Sequence, residues 1–242
     1  MSNEEIQQQC QEFSNAFDVL LNSYVGELSG NKQSNINLDE YEKSLCLTKA
    51  QTEVVIDLYN GNNLYGTSFE STEETRRYLD SLIRTKVYSA EEQNTDIDTK
   101  VSPNSVVYSL PSDIAFITME QVTYDDPSLK CYNGSTAAVY PVTQDEYNKV
   151  RNNPFRGPTK YKVIRLDSGD NVVELVSQFK IGTYFIKYLS KPEPIILEDL
   201  GDLSIDGKSE QSPCKLNPIL HNTILNRAVQ IALKTRGIQP AK

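Results

Sequence analysis

The spacing of apolar residues changes twice along this chain, and that change restricts the fold more than any other feature. Up to Val87, and again from Asn217, apolar positions recur every three or four residues. Between Ser105 and Leu189 they fall into short β-rich runs bounded by Gly, Pro, Asn and Asp, several of them partly alternating. The fold expected from this pattern is α+β. Long N-terminal, central and C-terminal helices form a helical body, residues 1–104 and 214–242, into which an antiparallel β-sheet module, residues 105–213, is inserted.

The helical body centres on Asn37–Gly61. Asn37 and Glu40 have the spacing of a capping box, Gly61 is a left-handed stop, and no Pro or Gly interrupts the interior. Tyr41, Leu45, Thr48, Val55 and Leu58 form one stripe, which Leu47, Ala50, Val54 and Ile56 widen. A stripe that wide predicts neighbours on more than one side. Before it, Ile6, Cys10, Phe13, Phe17, Leu20, Leu21 and Tyr24 predict a helix over residues 4–26. A third helix is expected from Ser71, capped with Glu74, to about Val87, with Leu79, Leu82 and Ile83 inward. Asn217 and Pro218 open the last helix, with Leu220, Ile224, Ala228, Ile231 and Ala232 on one face and Gly237 as its stop.

In the β-rich part six runs are legible: 105–110, 114–124, 136–141, 160–167, 172–177 and 184–189. They predict a sheet of about five strands with a short helix at Gln144–Asn152. Two stretches resist regular structure. Residues 89–104 are acidic and read as an exposed loop or arm. Residues 153–158, Asn-Pro-Phe-Arg-Gly-Pro, carry two prolines and a glycine. Phe155 and Arg156, framed by Pro154 and Gly157, are the exposed aromatic and Arg of an interface anchor.

Charge limits function further. The chain has a net charge of −9 and a pI near 4.8, which argues against tight DNA binding, because such binding needs basic surface to displace counterions. The first helix is anionic on its polar face through Glu4, Glu5, Glu12 and Asp18, a surface that repels phosphate. Residues 144–192 carry nine Lys and Arg against five acids, and residues 89–130 carry eight acids against two lysines. Opposite-signed surfaces on one subunit suit a head-to-tail ring.

Little in the sequence points to chemistry. The single histidine, His221, has no nucleophile or ligand partner in the pattern, and the four cysteines are widely spaced without a CxxC. Phosphate-binding glycine loops and hydrolase motifs are lacking, so no enzyme activity, metal or cofactor is expected. No apolar run is long enough to span a membrane, and the polar N-terminus predicts a chain made in a cytoplasm without a secretory leader.

Several stretches, in order along most of the chain, resemble virion ring proteins of crAss-like bacteriophages. Phe13–Tyr24 and Leu38–Gln51 are similar to the N-terminal half of that family. Ser109–Asp113, Pro141–Tyr147, residues 153–158 and Tyr188–Leu197 are similar to its middle, and Cys214–Val229 to its last helix. The resemblance implies a non-enzymatic head-to-tail connector in the neck of a short-tailed phage, made in the host cytoplasm. It implies a homo-oligomeric ring of roughly twelve copies by cyclic closure. Its partners would be the portal protein and other neck ring or tail proteins, with phage DNA passing non-specifically. Glu4, Glu5, Glu12 and Asp18 would then line the channel, and residues 154–157 would anchor an interface. The alternatives are a virion-surface module that binds carbohydrate or peptide, and a small acidic hydrolase; either would need a deep pocket with aromatic walls and converging polar groups.

Overall fold

A computed structural model describes residues 3–29, 37–62, 66–94, 100–102 and 105–236. The chain is α+β and divides into two compact units, Met1–Leu82 with Lys191–Lys242, and Ile83–Ser190.

The first unit is built on three helices, α1 (Asn3–Ser29), α2 (Glu40–Asn60) and α5 (His221–Thr235), with a short α3 (Glu73–Tyr78). Helix α5 packs on both α1 and α2. Phe13, Phe17 and Leu21 of α1, Leu47, Val54 and Val55 of α2, and Ile224, Leu225, Ala228 and Val229 of α5 are buried. Gly61 ends α2 in the left-handed conformation, at φ +80°. The N-terminal cap lies two residues after the expected Asn37: Asp39 accepts from the Glu42 amide at 2.6 Å. Glu40 turns instead to Ser14 and Lys43, at 2.9 and 3.0 Å.

The wide stripe of α2 is not all apolar contact. Leu45 and Ile56 are exposed, at 49% and 39%, whereas Lys43, Ser44, Thr48 and Gln51 are buried. Ser44, Thr48 and Gln51 recur at helical spacing and grip an extended segment at residues 193–197. The Leu197 amide donates to Ser44 Oγ at 3.0 Å and the Ile195 amide to Thr48 Oγ1 at 3.1 Å. Gln51 Nε2 donates to the Glu193 carbonyl at 2.7 Å, and Cys10 Sγ to the Ile196 carbonyl at 3.6 Å. On its other edge Ile196 bridges Ser212. A strand with no sheet to join thus has its backbone satisfied by a helix's side chains.

The second unit is a seven-stranded sheet: β1 (Ile83–Ser89), β2 (Val106–Ser109), β3 (Ile114–Tyr124), β4 (Thr136–Pro141), β5 (Lys162–Gly169), β6 (Val172–Val176) and β7 (Ile181–Ser190), in spatial order β1-β7-β3-β4-β5-β6-β2. Two sequence expectations are corrected. The helix expected to reach Val87 stops at Tyr78, and residues 83–89 form β1 instead. This segment, Ile-Arg-Thr-Lys-Val-Tyr-Ser, is rich in β-branched residues, and full pairing with β7 outweighs the helical continuation. The sheet is also not purely antiparallel. Helix α4 (Gln144–Val150) carries the chain over one face, so β4 and β5 pair in parallel. Tyr147 and Val150 of α4 cover Ile164, Leu166 and Val176 on that face.

The two edge strands meet. The Tyr88 and Tyr108 rings, from β1 and β2, lie 5.3 Å apart, and Tyr88 donates to the Ser109 carbonyl at 2.9 Å. The sheet therefore curls into a trough, filled by Tyr88, Tyr108, Tyr124 and Tyr184 among Val, Leu and Ile. Arg165 and Glu120 form a buried ion pair at 2.6 Å inside this unit, and Tyr184 also donates to Glu120. Burial, then the Glu120 charge, push the Tyr184 hydroxyl far above the ordinary phenol range, so it stays a donor.

Thr48→Val keeps the shape of the helix surface and removes both hydroxyl contacts with Ile195. The variant should lose about 1–3 kcal/mol, the cost of stranding a buried amide. Leu45→Ser, at an exposed position, should change stability by less than about 0.5 kcal/mol. Urea unfolding of the two variants beside the parent chain measures both.

Candidate functional site

The residues singled out as an interface anchor lie in the second unit, on the turn between α4 and β5. Asn153 organises that turn, its Oδ1 accepting from the Phe155 and Arg156 amides at 2.9 and 3.1 Å. The Gly157 amide closes it on the Asn153 carbonyl at 2.7 Å. Gly157 is buried, and a Cβ there would stand 2.7 Å from the Asn153 carbonyl oxygen and 3.1 Å from two more, so no larger residue fits without moving backbone. Pro154, Phe155 and Arg156 are exposed, Phe155 at 92%. A turn this well hydrogen-bonded holds a phenyl ring out in water, where the ring adds nothing to the chain's own stability.

The exposed ring has company. Lys162 donates to the Arg156 carbonyl at 2.8 Å, and its ammonium stands 4.9 Å from the Tyr140 ring centre. Two residues earlier, Lys160 and Tyr161 occupy a tight turn closed by Thr159 and Lys162. The Lys160 ammonium is 4.0 Å from the Tyr132 ring and 4.8 Å from the Tyr161 ring. Tyr132, Tyr140 and Tyr161 are all substantially exposed. Lys160, Lys162 and these tyrosines therefore form a cluster of aromatic rings and cations, tied through Lys162 to the backbone of the turn that carries Phe155 and Arg156. Reading residues 153–158 alone misses the tyrosines. The signal was present in Lys160-Tyr-Lys, which reads as strand alternation until the turn before β5 is seen.

The channel candidates lie in the first unit, on α1. Glu4, Glu5 and Glu12 are exposed. Asp18 differs from them, because it faces Lys43 of α2 at 2.7 Å, and that lysine is 3% exposed. Burial would lower the Lys43 pKa, but hydrogen bonds and charge from Asp18 and Glu40 outweigh it and hold the ammonium above its ordinary value. Asp18 is thus the counterion of a buried cation as well as a surface acid. Stability from this contact is present below the ordinary lysine range and is lost as pH rises through the raised value.

Two of the clefts in the first unit bear on small-molecule chemistry. One, of about 600 Å³, is walled by Glu4, Gln7, Ser14, Glu40 and Glu198 and has no aromatic side chain in its lining. The other, of about 390 Å³, lies by Leu58, Tyr78, Ile219 and Leu220, and its charged Arg227 is tied to Asp57. His221 packs edge-on to Phe13, with ring centres 4.9 Å apart, and its Nε2 lies 3.1 Å from the Leu216 carbonyl. Burial lowers its pKa, so it is a neutral packing residue. Among the described residues no group of three or more His, Cys, Asp or Glu could hold a metal ion, and no helix is long and apolar enough to cross a membrane.

Gly157→Ala should destabilise the second unit by about 1–3 kcal/mol, through the backbone shift its Cβ forces. Phe155→Ala should leave stability within about 0.5 kcal/mol of the parent. Urea midpoints of the two variants decide this, and a neutral Gly157→Ala would show that the turn yields.

Comparison with known proteins finds the same kind of protein along nearly the whole chain. Residues 8–242 match the family described as Phage tail ring protein 3/4. The chain is 46% identical over 226 residues to Ring protein 3 of Bacteroides phage crAss001, covering 92% of this chain and 94% of that one. It is 33% identical over 231 residues to Ring protein 4/5 of the same phage, covering 91% and 90%. The chain belongs to the phage tail ring protein 3/4 family, and its role is that of a structural ring component of a phage virion.

Proposed function

We propose that the chain is a connector subunit of a phage neck that closes with its copies into a ring joining portal to tail. The ring continues the channel through which the genome is retained and released. Closure by heterologous contacts fits roughly twelve copies around a portal. One observation carries the reading: the match to Ring protein 3 runs almost end to end, so the whole subunit is shared rather than one module. The lower identity to Ring protein 4/5 favours the ring 3 position.

The mechanism is physical. Helical bodies stand side by side, and Val19, Leu45 and Ile56, exposed at 69%, 49% and 39% on α1 and α2, supply apolar contact for that packing. The β-unit, with Phe155 and Arg156 at its aromatic surface, meets a neighbouring component. Glu4, Glu5 and Glu12 face the channel, with Asp18 partly neutralised by Lys43. At physiological salt the field of such acids reaches about 8 Å, so it keeps DNA sliding only where the channel is narrow. No catalytic step, metal or cofactor enters this mechanism.

Obligate ring contacts bury more than about 2,000 Å². Multi-angle light scattering of the purified chain should therefore show a small species alone and a ring-sized complex when portal protein is added. A monomer unchanged by portal and by the other neck proteins would refute the connector.

The acidic face has its own test. Glu4→Lys, Glu5→Lys and Glu12→Lys together should permit folding and assembly but slow DNA release, because cations at the wall displace counterions and hold the duplex. Asp18 is left alone, since a lysine there would face Lys43 and disturb the core rather than the channel. Release followed by dye fluorescence from triggered particles measures the effect. Unchanged kinetics would remove these residues from the lumen.

A further inference from the structure

The counterpart of the aromatic and cationic surface is present on the same chain. Residues 198–210 form an acidic arm with five acids, Glu198, Asp199, Asp202, Asp206 and Glu210, against one lysine. The arm is a built structure. Leu200 and Ser209 pair through backbone, as do Ile205 and Lys208, and Asp206 and Gly207 take the left-handed conformations, φ +50° and +77°, of a two-residue hairpin turn. Ile205 is buried beneath it, and Leu203 stands out at 52% exposure. The single lysine is spent, since Lys208 lies 3.0 Å from Glu193. Asp202 and Asp206 have no cation within ion-pair distance among the described residues. The same holds for Arg156, Lys160 and Lys162, which have no carboxylate.

We propose that this acidic hairpin of one copy docks on the surface around Phe155 and Lys160 of the next copy in the ring. Leu203 lies against the exposed rings, and Asp202 and Asp206 meet Arg156, Lys160 and Lys162. The inference rests on the ring reading above and adds the contact that propagates it. Two features single out a second copy. A head-to-tail ring needs two different complementary surfaces on each subunit, and this chain presents both. Each is an exposed apolar residue beside unpaired charges of one sign, held on a hydrogen-bonded turn, so little order is lost on docking.

The test uses assembled phage particles. A zero-length carbodiimide should join Lys160 or Lys162 to Asp202 or Asp206 in a band of dimer mass or above, identified by peptide mass spectrometry. In parallel, Arg156→Glu with Lys160→Glu, and separately Asp202→Lys with Asp206→Lys, should each lower particle yield by at least about tenfold, and all four together should restore most of it. Arg156, Asp202 and Asp206 are exposed and Lys160 is half-buried, and thermal unfolding by circular dichroism checks that each chain folds. Rings present in particles while these lysines join only to other proteins, or to the same copy, would overturn the docking and leave the ring standing. So would a combined variant no better than either pair. Absence of the protein from particle rings would overturn both.

Discussion

The helical unit depends on how α2 treats one extended segment. A helix usually buries an apolar stripe, but here Ser44, Thr48 and Gln51 point inward and hydrogen-bond the backbone at 193, 195 and 197. The alternative for those backbone groups is burial without partners, at about 1–3 kcal/mol each. Ile195 and Ile196, the apolar side chains of the gripped segment, are then free to fill the space among the helices. The unit is made from stretches on both sides of the sheet in sequence, 1–82 and 191–242, and this ladder stitches the returning chain to the first half. Cys10 and Gln51 take part in the same stitching, with Cys214 donating to Gln51 at 3.4 Å. Cys10 and Cys214 are small buried donors whose thiols burial pushes up to about 11, and not reactive groups.

Periodicity was a good guide where one force acted alone. The stripe on α1 and the bounds of β3 and β4 follow from local pattern, because each has one buried face or a plain run. It failed where a distant partner decided. Residues 83–89 are a strand because β7 lies alongside, and the neighbouring Leu79 and Leu82 remain buried, so their apolar spacing could not separate the two outcomes. Leu45 and Ile56 looked inward on hydrophobicity, whereas Ser44 and Gln51, which look outward, are the residues that point in. No pattern of apolar spacing reveals that a buried position is wanted for its hydrogen bonds.

Charge counts along the sequence mislead for a related reason. Glu120 belongs to the acidic stretch and Arg165 to the basic one, yet they pair at 2.6 Å inside the β-unit and present neither sign to a partner. Glu174 is likewise buried, accepting from the Val101 amide at 2.7 Å and from the Ser105 hydroxyl. Lys43 and Asp18 cancel in the helical unit. Removing these internal pairs sharpens the surface. Among the charges that keep no ion-pair partner in the described residues are Arg156, Lys160 and Lys162 in the β-unit and Asp202 and Asp206 in the helical unit.

Those cations bear on why the aromatic rings beside them are exposed at all. A solitary phenyl in water gives a monomer nothing, and a chain selected only to fold would gain by replacing Phe155 with a polar residue. The turn beneath it is instead specified at several positions: Asn153 for its two amide contacts, Gly157 for its missing Cβ, Lys162 for the Arg156 carbonyl. The curled sheet has no need of this turn for its own closure, which Tyr88, Tyr108 and Tyr184 supply. On the ring proposed above, that order would serve contact between subunits. In a family of ring components the first contact to account for is the one between neighbours, because every copy must both offer and receive it.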